Sequence, residues 1–199
     1  MNAWAPLTVL LLGMLCSGCG VTEVLERDAA GVPILIRSPQ PDAGDLLDLK
    51  EEFGLKTVLN LRGPSPGKSW FEEEKAGVAA VGAEWRHLAV SGSNPPQPEE
   101  LEAFFDLVED PKARPILIHC QGGVHRTGAF SALYRMQYQG WEPKRAVEEM
   151  EDNYFNWTTR DRSALKEWLL RYVRDPKRRL PTGRSDPPRP AKDAKKSQR

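Results

Sequence analysis

Short apolar, β-branched runs alternating with amphipathic segments predict an α/β domain with a central, mostly parallel sheet flanked by helices. Three observations carry this. Ile34-Leu35-Ile36, Thr57-Val58-Leu59-Asn60-Leu61 and Ile116-Leu117-Ile118 read as buried strands. Helical spacing follows each of them, as crossover connections between parallel strands require. Glycine and proline clusters punctuate the boundaries at Gly54, Gly63-Pro64 and Pro95-Pro96.

In chain order, Ile34–Ile36 runs into the turn-rich Arg37-Ser38-Pro39-Gln40-Pro41. Asp45 to Phe53 has Leu46, Leu49 and Phe53 on one side and Gly54 at its C-terminus, a helix with a glycine stop. After the Thr57–Leu61 strand, Trp70 to Val81 reads as a helix whose Glu72, Glu73 and Glu74 lie in the first turn, where the dipole favours acids. Trp85 to Val90 is a further strand, Ser91 to Pro98 a loop, and Glu99 to Val108 a helix behind Pro98. The Ile116–Ile118 strand leads to a loop, Cys120 to Arg126, and a helix from Thr127 to about Gln139. Helices near Glu142–Met150 and Arg160–Val173 complete the domain.

The ends have different compositions. Leu7 to Leu15 is apolar but too short to span a bilayer, and Ser17-Gly18-Cys19 follows at once. From Arg174 to Arg199 there are ten Lys or Arg against three Asp, a net of +7 with five prolines and few large apolar residues. Such a segment cannot bury enough surface to offset its ordering entropy and is expected to be disordered. The other residues carry −7, which leaves no electrostatic footprint for nucleic acid. The expected division is 1–19 signal segment, 20–33 linker, 34–173 domain and 174–199 basic tail. The three histidines are too scattered for a metal site, and no cofactor is called for.

Chemistry concentrates in His119-Cys120-Gln121-Gly122-Gly123-Val124-His125-Arg126-Thr127-Gly128. A dianionic phosphate needs several inward N–H groups, which a glycine-rich loop feeding a helix N-terminus supplies. Gly122 and Gly123 allow backbone angles that a Cβ resists. Arg126 can grip two phosphate oxygens with its planar fork. Cys120 would meet the helix dipole and Arg126, which lower a thiol's pKa and make it a nucleophile. The competing reading, an inert buried cysteine at a strand end, explains neither Arg126 nor the glycine pair.

These residues resemble the Cys-x5-Arg-Thr/Ser signature of the protein tyrosine and dual-specificity phosphatase superfamily. The region from Arg37 to Arg62 looks like the entry of its compact bacterial and fungal members, so the resemblance covers roughly Ile34 to Tyr172. Low-molecular-weight phosphatases and arsenate reductases place a similar loop near the N-terminus. Rhodaneses have a cysteine loop without this arginine spacing, which leaves sulfurtransfer a distant third class.

The resemblance implies a dual-specificity phosphatase-like fold and a metal-independent phosphatase acting on phosphate monoesters, in proteins or in inositol compounds. Cys120 is then the nucleophile, Arg126 the phosphoryl clamp, Thr127 an aid to phosphocysteine hydrolysis, and His119 a residue that tunes the thiolate. Gln121, Gly122, Gly123, Val124 and His125 would form the phosphate cradle with Arg126. Ser17-Gly18-Cys19 resembles a bacterial lipobox, which implies acylation of Cys19 and a membrane anchor in the cell envelope, facing away from the cytosol. In that case Cys120 is the sole remaining thiol and cannot be lost to an internal disulfide.

Departure of an alkoxide or phenolate normally takes a proton from a nearby acid. Ser91-Gly92-Ser93-Asn94-Pro95-Pro96-Gln97-Pro98 resembles the acid-bearing loop of phosphatase-and-tensin-type enzymes, with Gly92 where the Asp would stand. Glu99, Glu100, Asp161 or His125 could replace it; the substrate could carry a good leaving group, as in inositol pyrophosphates; or the domain could be a pseudophosphatase that binds phosphate without turnover. Arg62 and Lys68 are candidate rim contacts. The Trp residues Trp70, Trp85, Trp141, Trp157 and Trp168 read as packing.

Overall fold

The computed structural model describes residues 22–152 and 163–180. Five strands form one sheet: β1 (Glu23–Arg27), β2 (Pro33–Ser38), β3 (Thr57–Asn60), β4 (Glu84–His87) and β5 (Ile116–His119), in the spatial order β1-β2-β5-β3-β4. All neighbours are parallel except β1, which runs antiparallel to β2. The sheet is mostly parallel and flanked by helices, as the alternation of strands and helices predicts.

Each central strand is buried on both sides. Leu35, Leu59, Ile116 and Ile118 face a core built with α3 (Pro98–Glu109), α4 (His125–Gln139), α5 (Pro143–Asp152) and α6 (Ser163–Leu170). Ile36, Val58 and Leu117 face the smaller core under α1 (Ala43–Phe53) and α2 (Ser69–Ala80). The period-2 alternation splits one apolar run between two cores, which is why these strands read as continuous hydrophobic segments.

Capping sets several boundaries. Asp42 accepts from the Asp45 N–H at 2.9 Å while the Asp45 carboxylate accepts from the Asp42 N–H at 3.0 Å, so α1 begins two residues ahead of Asp45. Gly54 ends it at φ 70°. Pro98 opens α3, and the Glu100 carboxylate folds back to accept from the Gln97 N–H at 2.8 Å. At α4 the helix begins at His125 rather than Thr127, which brings Arg126 into its first turn.

Two expected boundaries need correction. The supposed linker 20–33 contains β1, whose residues are tied to the helical face. Arg135 bonds Glu23 at 3.0 Å and Glu149 at 2.6 Å, and Tyr134 donates to Glu26 at 2.9 Å. The alternation of β1 was legible only once its partners were known. At the other end, the domain continues past Val173. Gln137 donates to the carbonyl of Asp175, and Arg178 bonds Asp106 and Glu109 at 3.0 and 3.1 Å and also Glu102. Three acids on one face of α3 fix this cation in place.

The expected leader with Cys19, the Asp161 and Trp157 positions, and the tail beyond Leu180 lie outside the described residues. Among the described residues no helix is long and apolar enough to cross a membrane.

Candidate active site

The carboxyl ends of the parallel strands share one register layer: Ser38 pairs with His119, His119 with Asn60, and Asn60 with His87. In parallel sheets this edge is where ligands bind. Residues 120–124 leave it from β5 and feed directly into α4.

The loop is pinned from below. The buried Arg37 guanidinium donates through Nη2 to the Gly123 carbonyl at 2.8 Å, and the Gln40 N–H donates to the Gln121 carbonyl at 3.0 Å. Gly123 has φ 69°, and a Cβ there would lie 2.6 Å from the Pro39 nitrogen. Gly123 is therefore required both for its backbone angle and for close approach. Gly122 is not its equivalent: its φ is not positive and a Cβ would meet open space.

Cys120 sits on the floor of this loop, 3% exposed. Burial pushes its thiol pKa up, but the Thr127 hydroxyl and N–H, the Arg126 charge and the Gly123 N–H together bring it below the ordinary thiol value. The Thr127 hydroxyl is fully buried and directed at the Cys120 thiol, with no other side-chain or backbone partner. Arg126 is partly buried and braced by the Leu61 carbonyl at 3.3 Å. The first-turn N–H groups of α4 have no carbonyl beneath them within the helix and face this end of the sheet. Val124 is the buried N-cap, His125 opens the helix half-buried, and Gln121 is exposed. The predicted nucleophile, clamp, hydroxyl and cradle are therefore assembled at one point.

The family model described as PTP-NADK, a DSP-PTPase phosphatase fused to NAD+ kinase, matches residues 35–167. The chain belongs to this DSP-PTPase family. Dual specificity protein phosphatase TpbA of Pseudomonas aeruginosa is 29% identical over 123 residues, 62% of this chain and 52% of the relative. Inositol diphosphatase DSP3 of Arabidopsis thaliana is 31% identical over 121 residues, 56% of this chain and 58% of the relative. The chain thus spans little more than half the length of these curated relatives. Among solved structures, the core catalytic domain of the PP-IP phosphatase SIW14 from S. cerevisiae superposes with a TM-score of 0.59 at 27% identity, covering 71% of this chain and 82% of that one. The crystal structure of TpbA gives a TM-score of 0.53 at 26% identity, covering 68% and 83%.

The DSP-PTPase site has a rim. Arg62 lies 3.3 Å from the Trp70 ring centre and donates to Gln40 at 2.7 Å, so its charge is held beside the loop. Burial, together with the Arg126 charge, lowers its pKa. Lys68 is exposed at the start of α2. Trp70 therefore does more than pack: it is the platform for a rim cation.

On the opposite side, Gly92 overlooks the loop, with the position of a Cβ 4.0 Å from Arg126 Cγ. Residue 92 therefore stands beside the Arg126 side chain and, as glycine, offers no acid there. Of the proposed substitutes, Glu100 is engaged in capping α3 and Glu99 is exposed.

Glu74, expected as a first-turn acid beside Glu72 and Glu73, lies beyond the first turn of α2, is 2% exposed and points into the sheet. Its carboxylate meets His119 Nε2 at 2.9 Å and accepts from Gln40 at 2.7 Å, Asn60 at 2.8 Å and Trp85 at 2.6 Å. The available signal was its helical phase, three residues after the buried Phe71 and three before the close-packed Gly77. A single sequence offers no way to tell that a glutamate in that phase has partners across the sheet.

Proposed function

We propose that this protein is a cysteine-dependent phosphatase that hydrolyses phosphate monoesters, and diphosphate groups on small polyols, through a phosphocysteine. The Cys120 thiolate attacks phosphorus and an S–P bond forms as the P–O bond to the leaving group breaks. Arg126 and the loop amides stabilise the charge on the equatorial oxygens. Water then attacks the same phosphorus, and the thiolate leaves with help from the Thr127 hydroxyl. The observation that carries the reading is a buried thiol at the floor of a loop pinned at Gly123, met by the Thr127 hydroxyl, with Arg126 in the first turn of the helix that follows. The family, and the dual-specificity and inositol diphosphatase activities named for its relatives, support it.

The glycine at residue 92 favours substrates whose leaving group departs without a proton. Phosphoanhydrides and activated aryl esters meet that condition; simple alkyl phosphates do not. The ligand is then a small molecule carrying a phosphoanhydride; a phosphotyrosine-bearing protein would need a proton donor other than residue 92. Anchoring at a bacterial cell envelope through acylated Cys19 belongs to the same proposal and is supported by Ser17-Gly18-Cys19 behind an apolar run.

Rapid quench with a radiolabelled aryl phosphate, followed by peptide mapping, is expected to find label on Cys120 and turnover insensitive to chelator. Tight binding of the same phosphates with no phosphoenzyme and no turnover would replace this reading with the pseudophosphatase. Mass spectrometry of the membrane fraction is expected to find a lipid-modified Cys19 at the N-terminus; a soluble protein retaining Met1 would refute the anchor.

A further inference from the structure

Arg62 takes no step in the chemistry above, yet its side chain is fixed at the mouth of the site. Its backbone N–H donates to Asn60 Oδ1 at 2.7 Å, which sets the root. The next residue, Gly63, has φ 76°, and a Cβ there would lie 2.7 Å from Ala89 Cβ, so the turn is seated against the segment that leads to Gly92. The guanidinium lies 3.3 Å from the Trp70 ring centre and donates through Nη1 to Gln40 Oε1 at 2.7 Å. Gln40 cannot turn its amide over, because its NH2 is given to the buried Glu74 carboxylate at 2.7 Å. The Gln40 main chain is itself bonded to the phosphate loop at the Gln121 carbonyl. A long cation held this way has lost its rotamer freedom before any ligand arrives.

The fixed guanidinium has donors left over. Among the described residues, Nε and Nη2, the edge that grips two oxygens of one anion, have no protein partner. Arg126 is close by: its Nη1 donates at 3.3 Å to the carbonyl of Leu61, the residue before Arg62. Neither arginine is ion-paired with a carboxylate among the described residues. Glu74 is taken up by His119, Gln40, Asn60 and Trp85 and reaches Arg62 only through Gln40. Burial and the Arg126 charge both lower the Arg62 pKa, as expected of like charges sharing one mouth. One phosphoryl group occupies Arg126 and the loop amides, which leaves a second cation beside it.

We propose that Arg62 holds the leaving phosphate of a diphosphate substrate, meeting as a fixed charge the need that an acid at residue 92 would meet as a proton. As the S–P bond to Cys120 forms, the electron pair of the bridging P–O bond passes to the leaving phosphate. That group gains one negative charge and takes up no proton, and Nε and Nη2 of Arg62 stabilise it. An alcohol leaving group offers this fork no pair of anionic oxygens, so Arg62 selects phosphoanhydrides over esters. The step rests on the phosphatase reading above; the second anion site does not.

The test uses the full chain carrying Cys120→Ser, in chelator-treated buffer, titrated calorimetrically with inorganic phosphate and with inorganic pyrophosphate. Pyrophosphate is expected to bind more tightly by about tenfold or more, and Arg62→Gln to remove most of that advantage. Equal affinity for the two anions with Arg62 in place would overturn the proposal. So would an equal weakening of both by Arg62→Gln, the mark of a merely structural role. A loss just as large with Lys68→Gln would reduce the effect to general charge and sink the idea as well. If Arg62→Gln does not fold, Trp70→Leu removes the platform and keeps the charge. It is expected to cut the advantage about threefold, and no change would count against the proposal. With Cys120 restored, Arg62→Gln is expected to lower the kcat/KM ratio of methyl diphosphate to 4-nitrophenyl phosphate about 10²-fold; an unchanged ratio would refute the assigned role. No turnover of either substrate, with the pyrophosphate advantage intact, would sink the phosphatase reading and leave the Arg62 anion site standing.

Discussion

The two loops that meet over Cys120 are built to different standards. Residues 120–126 are held by Arg37, Gln40 and Leu61, with Gly123 seated against the Ser38–Pro39 backbone too closely for any side chain. Ahead of the Gln97 cap of α3, residues 91–96 are joined to the rest by lighter ties: a turn closed by the Ser91 hydroxyl and a bond from the Leu165 N–H to the Ser93 carbonyl. The first loop must hold preorganised donors toward a phosphoryl group, where small displacements are costly. The second closes over the substrate in the resembling phosphatases and carries an acid; here it presents Gly92. The difference teaches that attack and departure are separable functions, and that under the proposed mechanism the fixed structure serves attack.

The strongest way to break the comparison is Cys120→Ser. Turnover is expected to fall below detection while vanadate or phosphate binding survives, since the cradle is made by the backbone and Arg126. Retained turnover would remove the covalent step. Arg126→Lys comes next, with a loss of about 10²–10³ in kcat, the range for deleting one preorganised donor, because an ammonium cannot make the bidentate contact. Near-normal kinetics would take Arg126 out of the site.

Gly92→Asp tests the other loop. A positioned acid is typically worth about 10²–10⁴, so rates on alkyl phosphates should rise and the slope of log rate against leaving-group pKa should flatten. An already flat slope in the wild type, with collapse on Glu100→Gln, would show that the acid has moved to α3.

The pH profile sharpens the same contrast. The Cys120 thiol is held below its ordinary value in the fold, so the reactive thiolate persists on the acid side of about 8.5 and disappears as pH falls through the folded value. The linked stability has the same sign: it is fully present above the ordinary thiol value and lost as pH falls. Peptide-resolved alkylation of Cys120 against pH should have a midpoint below that of a free thiol; a midpoint at or above it would contradict the site's electrostatics. The smallest effect is Gly123→Ala, which forces a Cβ against Pro39 at positive φ. A loss of about 1–3 kcal/mol is expected in denaturant unfolding, and unchanged stability would mean the loop relaxes more easily than its packing implies.

Much of this was written in the chain. Strand runs such as Ile116–Ile118 are recognisable because each residue is buried whichever face it takes, and Gly54 and Pro98 mark helix ends by backbone chemistry that is local to them. The Cys120–Arg126 spacing is legible for the same reason, since strand, loop and helix N-terminus are contiguous and the ligand they suit follows from their own atoms. What depended on distant partners stayed hidden. β1 pairs with β2 across a short turn, but its place against the helices depends on Glu23 and Glu26 finding Arg135 and Tyr134 more than a hundred residues away. The segment after Val173 is ordered because α3 offers three acids to Arg178. Nothing in the sequence separates Glu74 from Glu72 and Glu73, because its partners Gln40, Asn60, Trp85 and His119 come from four different parts of the chain. Local sequence fixes where the backbone turns and which atoms can attack. Whether a buried charge is tolerated depends on the sum of its partners, and only the folded sheet brings those together.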